Sequence, residues 1–386
     1  MKGTLLATLA VATLGLGPLA RPAFAYPTMI RLGYVNCAAC HIAPQGGGLL
    51  NSYGRGIDEA QSLRAGEYKP SENRIANALN WGGRITQDIR VVAQETLNTS
   101  TGAPILGVFR SRLMYRNNTD LGKGFRVSAV VVGEHTAALR PSLAYDPPVK
   151  QTDIYVTTAL ISYRPTKTLE FSAGRDQLPT GLNLTDLGMY IKARDQYGYY
   201  DAPTQVKMSK WGDHYTISPY VFGPGGNEHS GFHESGAGML AEVDILPGNH
   251  RTVVGVNGLH GMSTKLDRTV IGPYARLGFG RWGIFAEHDF TDRTLKLTAT
   301  PVAFRQEASY ALAFFAIREW LVPSLGVERL IVHKPYKETQ VAPRFELAAR
   351  LSSNFTLGLT TRLQQNVLNG KIAPSAQLTL AMKTVN

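Results

Sequence analysis

The chain contains two cysteines, set three positions apart with a histidine directly after them: Cys37-Ala38-Ala39-Cys40-His41. This C-x-x-C-H spacing is the attachment signature of c-type haem. The two thiols add across the porphyrin vinyl groups as thioethers, and the two-residue spacer lets one short turn reach both. His41 follows at once, so its imidazole can swing beneath the ring and ligate the iron. A thioredoxin-type pair needs a βαβ setting, whereas the flanks here are rich in Gly and Pro. A zinc site needs third and fourth ligands, and no further cysteine exists. The motif therefore reads as one covalently attached haem c, held by Cys37, Cys40 and His41. The sixth ligand is open: Met29 is the first candidate, beside Met114, Met189, the nine histidines or a vacant position.

The elements that must position this group are few. From Tyr26 to about Asn73 the chain holds Met29, Leu32 and Tyr34, then Pro44-Gln45-Gly46-Gly47-Gly48, then Leu49, Leu50 and Tyr53. Fewer than fifty residues cannot wrap a large apolar disc alone, so the rest of the chain is expected to complete the pocket. The glycine triplet suits either an ordinary turn or a close approach of backbone to the ring.

Ahead of this segment stands an address label. Lys2 precedes a mostly apolar run, Leu5 to Leu16, and Ala23-Phe24-Ala25 fits a signal-peptidase site. Residues 1–25 are thus expected to be a signal peptide, with an exported chain from Tyr26. The whole sequence has 386 residues and a net charge of +11, with 44% hydrophobic and 18% charged residues. That composition is too apolar for disorder. The basic residues are spread singly, which together with export argues against nucleic acid. Beyond residue 25 no run of 18 apolar residues occurs, which excludes a helical membrane protein but not a closed barrel.

From about Asn80 onward the hydrophobic period is two. Phe345, Leu347, Ala349 and Leu351 alternate with Arg344, Glu346 and Arg350; Phe355, Leu357 and Leu359 alternate with Thr356 and Thr360. Leu378, Leu380 and Met382 alternate with Gln377, Thr379 and Lys383, and Leu113 and Tyr115 oppose Arg112 and Arg116. A soluble sandwich or an outer-membrane barrel can both give this pattern. Strand lengths near those of a tilted bilayer crossing, short turns alternating with long polar loops such as Ala137 to Gln151, and aromatics near segment ends favour the barrel. Trp81, Tyr115, Tyr155, Tyr163 and Trp282 are the expected girdle. The expected fold is an all-β antiparallel outer-membrane β-barrel of about 16 strands over 76–386, with a short monohaem cytochrome c-like segment at 26–75. Thr180 to Gln205 breaks the ladder and is expected to fold into the lumen as a constriction or to pack on the rim. The polar face carries ions of both signs, as any porin wall does, and identifies no substrate.

Tyr34-Val35-Asn36-Cys37-Ala38-Ala39-Cys40-His41, with Pro44, the glycine triplet and Tyr53-Gly54-Arg55, resembles the fused monohaem cytochrome–porins. That family includes the outer-membrane iron oxidases of iron-oxidising bacteria. The resemblance implies thioether bonds at Cys37 and Cys40, axial ligation by His41, and electron transfer across the outer membrane. The expected function is an electron carrier more than a self-contained enzyme, with ferrous iron or another extracellular donor or acceptor outside. Its partners would be outer-membrane lipid and a periplasmic electron-carrier cytochrome. A solute porin with a haem-bearing plug or sensor segment is the alternative. A haem peroxidase would require an acid/base histidine beside an open site, and no histidine can be placed there from sequence.

Overall fold

The structure, a computed structural model, describes residues 27–32, 34, 37–43, 49–61, 63, 84–98, 106–136, 152–179, 181–182, 189–193, 202–225, 233–245, 250–296, 300–352, 354–367, 370 and 372–383. The expected signal peptide and the Pro44–Gly48 run lie outside the described residues, as does the 137–151 loop.

Sixteen strands form one closed antiparallel barrel. They are β1 (Ile85–Asn98), β2 (Leu106–Gly122), β3 (Phe125–Thr136), β4 (Thr152–Thr166), β5 (Leu169–Arg175), β6 (Thr204–Trp211), β7 (Tyr215–Gly223) and β8 (Ser235–Asp244). β9 (His250–Met262), β10 (Leu266–Phe279), β11 (Trp282–Leu295), β12 (Val302–Phe315), β13 (Leu321–Lys334), β14 (Glu338–Ser352), β15 (Phe355–Asn366) and β16 (Ile372–Lys383) complete the ring. Each strand pairs with its sequence neighbours, and β1 closes on β16 with Ala93 opposite Leu380. Closure removes both sheet edges, the only way a sheet can satisfy its backbone in hydrocarbon. The sandwich reading is thereby excluded.

The alternation explains the wall. On β10, Ile271 is half exposed outward whereas Val270, Tyr274 and Arg276 are buried inward. Leu113, Ile161, Val206, Leu325 and Leu378 are exposed in the same way on other strands, making an apolar outer belt that suits lipid. Beside the short turns Phe125 stacks on Tyr163 and Trp282 packs tilted against Phe315, each pair with ring centroids 4.5 Å apart. These are girdle aromatics. Positive φ at Gly122, Lys123, Gly124 and Gly280 closes two of these turns.

Two of the expected girdle residues lie elsewhere, and Trp81 falls outside the described residues. Tyr115 is exposed but stands in the middle of β2. Tyr155 is buried in the lumen, its hydroxyl 3.4 Å from Glu134 Oε2. The cause is a register shift between β3 and β4, where Val130 faces Thr158 and Val131 faces Val156. The extra residue inverts the parity of β4, so Tyr155 points in while Tyr163 points out.

Inside, charges are paired. Arg116 meets Asp88 (Nε–Oδ1 2.6 Å), Arg110 and Arg112 share Glu134 (3.1 and 2.7 Å), and Arg268 meets Glu234 (2.6 Å). The described residues 181–182 and 189–193 between β5 and β6 lie in the lumen, as the constriction reading expects and the rim reading does not. Leu182, Met189, Tyr190 and Ile191 are buried against Phe285, Tyr310, Phe314 and Leu330 of the wall. Each such burial is worth roughly 1.5–3 kcal/mol. Two wall carboxylates latch the insert: Glu287 accepts from Leu182 N–H and Glu328 from Tyr190 N–H, both at 2.9 Å.

Candidate functional site

Cys37–Ala39 forms a single 3-10 turn. The Cys40 and His41 N–H groups both donate to the Cys37 carbonyl, at 3.2 and 2.9 Å, which gathers the two thiols and the imidazole on one loop. Both thiols are free of a disulfide. After the motif, Ile42 N–H donates to the Leu49 carbonyl at 3.0 Å and His41 bridges Leu50, closing a small loop.

The helix α1 (Ser52–Ala60) braces the turn from behind. Asn51 is its N-cap: Oδ1 accepts from Gly54 N–H at 2.8 Å. The same residue reaches back to the motif, donating from Nδ2 to the Ala39 carbonyl (3.0 Å) and from its backbone N–H to the Cys40 carbonyl (2.9 Å). Gly54 packs so close that a β-carbon there would collide with the Cys40 carbonyl. The Gly46–Gly48 triplet, expected to turn or to approach the ring, lies outside the described residues; the close glycine contact seen is Gly54 on the Cys40 backbone.

Burial pushes the Cys40 thiol up from its ordinary value, and the same cause outweighs a nearby guanidinium at Cys37. The Tyr34 and Tyr53 hydroxyls are hydrogen-bonded, with the rings edge-on at 6.0 Å. That bond, with burial adding to it, pushes the Tyr34 hydroxyl up to about 12.

The barrel wall contacts the turn from several strands. Arg276 Nη1 on β10 lies 3.8 Å from Cys37 Sγ. Arg164 on β4 donates to the Ile42 carbonyl at 3.1 Å, and Arg126 on β3 does so at 3.5 Å. The turn Pro27–Leu32 lies against β10, where Arg31 ion-pairs with Glu319 and donates to Gln61. Asp58 of α1 pairs with Arg350 of β14 at 2.9 Å. These anchors come from β3, β4, β10, β14 and the β12–β13 turn, all at the short-turn end. The segment thus spans one mouth of the barrel.

The donor set fits a haem c: two thiols on one turn for the thioethers and His41 adjacent for the iron. Met29 is half-buried in the Pro27–Leu32 turn, Met114 faces inward on β2, and Met189 is buried in the lumen insert. Among the described residues no group of three or more His, Cys, Asp or Glu side chains is arranged to hold a metal ion directly. What sequence reasoning missed is Arg276, Arg126 and Arg164. Each sits in the polar ladder of its strand, and nothing local in the sequence marks it.

No protein-family model matches the chain, and no curated protein matches it. Its fold is similar to solved outer-membrane proteins. Pseudomonas putida OprB has a TM-score of 0.62 at 11% identity, covering 80% of this chain and 96% of that one. The loop L8 deletion mutant of Vibrio cholerae OmpT has a TM-score of 0.55 at 11% identity, covering 78% and 100%. The anion-selective porin from Comamonas acidovorans has a TM-score of 0.53 at 12% identity, covering 78% and 99%. The fold is that of a porin-like bacterial outer-membrane barrel.

Proposed function

We propose that this porin-like barrel carries one haem c at its periplasmic mouth and relays single electrons between a periplasmic carrier and a donor or acceptor outside the cell. The observation that carries the reading is the C-x-x-C-H turn clamped to the inner wall of a closed barrel. In such barrels short turns face the periplasm, which supports a periplasmic cytochrome as the docking partner. The group would be bonded through Cys37 and Cys40 and ligated by His41, with Met29 as the candidate sixth ligand; bound, it supplies reversible one-electron exchange.

The chain's own residues do the rest. Asn51 and Gly54 hold the turn closed, while Arg276, Arg126 and Arg164 fix it to the wall. Leu182, Met189, Tyr190 and Ile191 of the insert pack against Phe285, Tyr310, Phe314 and Leu330 of the inner wall, which excludes water from that part of the interior. Ferrous iron is the extracellular donor that the resemblance to the iron oxidases suggests, so iron oxidation belongs to this reading as a possible net reaction.

The test is a haem stain of outer-membrane fractions run with and without boiling, followed by reconstitution. A stained band whose mobility shifts on heating, and liposomes that pass electrons from an external donor to an enclosed cytochrome, are expected. Cys40→Ala should abolish the transfer while the barrel still shifts. A wild-type barrel without haem overturns the relay.

The likeness to OprB and the anion-selective porin favours a second reading, a solute porin whose haem-bearing segment is a plug or sensor. The wall of β2 to β4 suits it, since Arg110 and Arg112 share Glu134, and Arg126 and Arg164 share Glu170. Under that reading Cys40→Ala liposomes swell in small anionic solutes as fast as the wild type, and both swell faster than protein-free vesicles.

A further inference from the structure

The inner face of β10 does more than close the barrel. Tyr274, Arg276 and Gly278 point inward in succession, and each has a defined partner. A β-carbon on Gly278 would fall 2.5 Å from Arg31 N, so only glycine lets the Pro27–Leu32 turn lie flat on the strand. Arg276 is buried and reaches Cys37 Sγ with one nitrogen and Glu242 Oε2 of β8 with the other, at 3.8 and 2.5 Å. The Tyr274 hydroxyl donates to the same Glu242 oxygen at 2.9 Å. Its ring lies over Gly255 of β9, where a β-carbon would collide with it. The guanidinium is thus held by Glu242, which Tyr274 fixes in turn, and is aimed at the sulfur.

We propose that β10 is the seat of the haem-bearing turn, with Gly278 as its docking position and Arg276 as a positioning residue whose charge, counterpoised by Glu242, sets the reduction potential of a group bonded to Cys37. The inference rests on the haem reading above. A buried cation beside the attachment atom disfavours the ferric form, whose iron carries one more positive charge, and a buried anion favours it. Arg276 and Glu242 therefore act with opposite signs. A purely structural pair would not do so, because breaking it from either side loosens the same contact.

Two experiments test this. In spectroelectrochemical titrations of the purified haem-loaded barrel, R276Q should lower the reduced-to-oxidised ratio at the wild-type midpoint. The expected factor is about tenfold, the effect of one unit charge at about 10 Å in a medium of effective dielectric constant about 20. E242Q should raise the ratio, and R276K should stay near the wild type. Shifts of the same sign in R276Q and E242Q, or no shift in either, overturn the proposal. If R276Q does not assemble, E242Q alone decides by rising or not.

The second experiment needs no haem. In the full chain expressed without haem attachment, G278A should lift the Pro27–Leu32 turn and expose Arg31 and Arg55 to trypsin severalfold faster, while the barrel keeps its heat-dependent mobility. Unchanged cleavage overturns the seat. A wild-type barrel that never acquires haem defeats the relay reading, and the protease result then still reports on the seat by itself.

Discussion

Two buried carboxylates latch the lumen insert, and Glu328→Ala is the perturbation that tests one of them. Glu328 is fully buried; it accepts from the Tyr190 N–H at 2.9 Å, from Arg344 at 2.8 Å and from Arg362 at 3.1 Å. Truncation leaves two guanidinium groups and a backbone donor without that acceptor. Breaking a buried pair from one side costs about 3–5 kcal/mol. Arg344 keeps Glu346 at 2.5 Å, and the Arg362 side chain is 19% exposed and lies over the Tyr190 ring, so the lower end applies. About 3 kcal/mol is roughly a hundredfold in the folded-to-unfolded ratio. The assay is the fraction of heat-modifiable band across a guanidinium series in detergent. Arg305→Ala is the control: its pair with Asp292 is 3.8 Å long with both side chains more than 60% exposed, worth about 0–1 kcal/mol. The latch reasoning is refuted if Glu328→Ala unfolds at the wild-type denaturant concentration, or if Arg305→Ala costs as much.

Gly54→Ala should drive α1 off the Cys40 carbonyl and cut haem incorporation severalfold while leaving barrel assembly intact, read as haem absorbance per folded barrel; wild-type incorporation would remove α1 from the site. Because burial raises both thiols, the thiolate appears later as pH rises. In the haem-free chain the iodoacetamide rate against pH should have its midpoint above about 8.5, the value of a free cysteine, and a midpoint at or below it contradicts the buried turn. Brominated acyl chains should quench the outward Trp282, so Trp282→Phe loses more of the quenching than Trp211→Phe, whose ring is buried beneath Arg164; equal losses would mean that the apolar face is not the lipid face.

The parts legible in the sequence were those whose physics is local. The period-2 runs ending β14, β15 and β16 could be read because lipid outside and ion pairs inside impose opposite demands on adjacent residues. The C-x-x-C-H motif could be read because its whole geometry fits in five residues. Tyr155 was misplaced because one extra residue in β4 reverses every later side chain, and a bulge of that kind leaves no mark in composition. The Thr180 to Gln205 stretch could be seen to break the ladder, yet its destination depends on Glu287 and Glu328, more than a hundred residues downstream. Arg276 and Cys37 are 239 positions apart, so no spacing rule could join them.

Those long-range contacts weigh the two functional readings against each other. A sixteen-strand barrel is wide enough to leave an aqueous channel, which an insert narrows for a solute pore or seals for a relay. Here the interior holds a continuous apolar cluster in which Ile30 of the N-terminal turn joins Leu182, Met189 and Ile191 of the insert. The two inserts come from opposite ends of the wall: one enters through the short-turn mouth, the other descends from the long loop between β5 and β6. Water excluded from that cluster lowers the local dielectric, and charge shifts then cost less solvent reorganisation. A relay would benefit from this directly, whereas a porin would have to pass solutes beside the cluster. The two proposed readings therefore part at this cluster: the relay predicts that Cys40→Ala silences the protein, whereas the porin predicts that the same variant still conducts solutes.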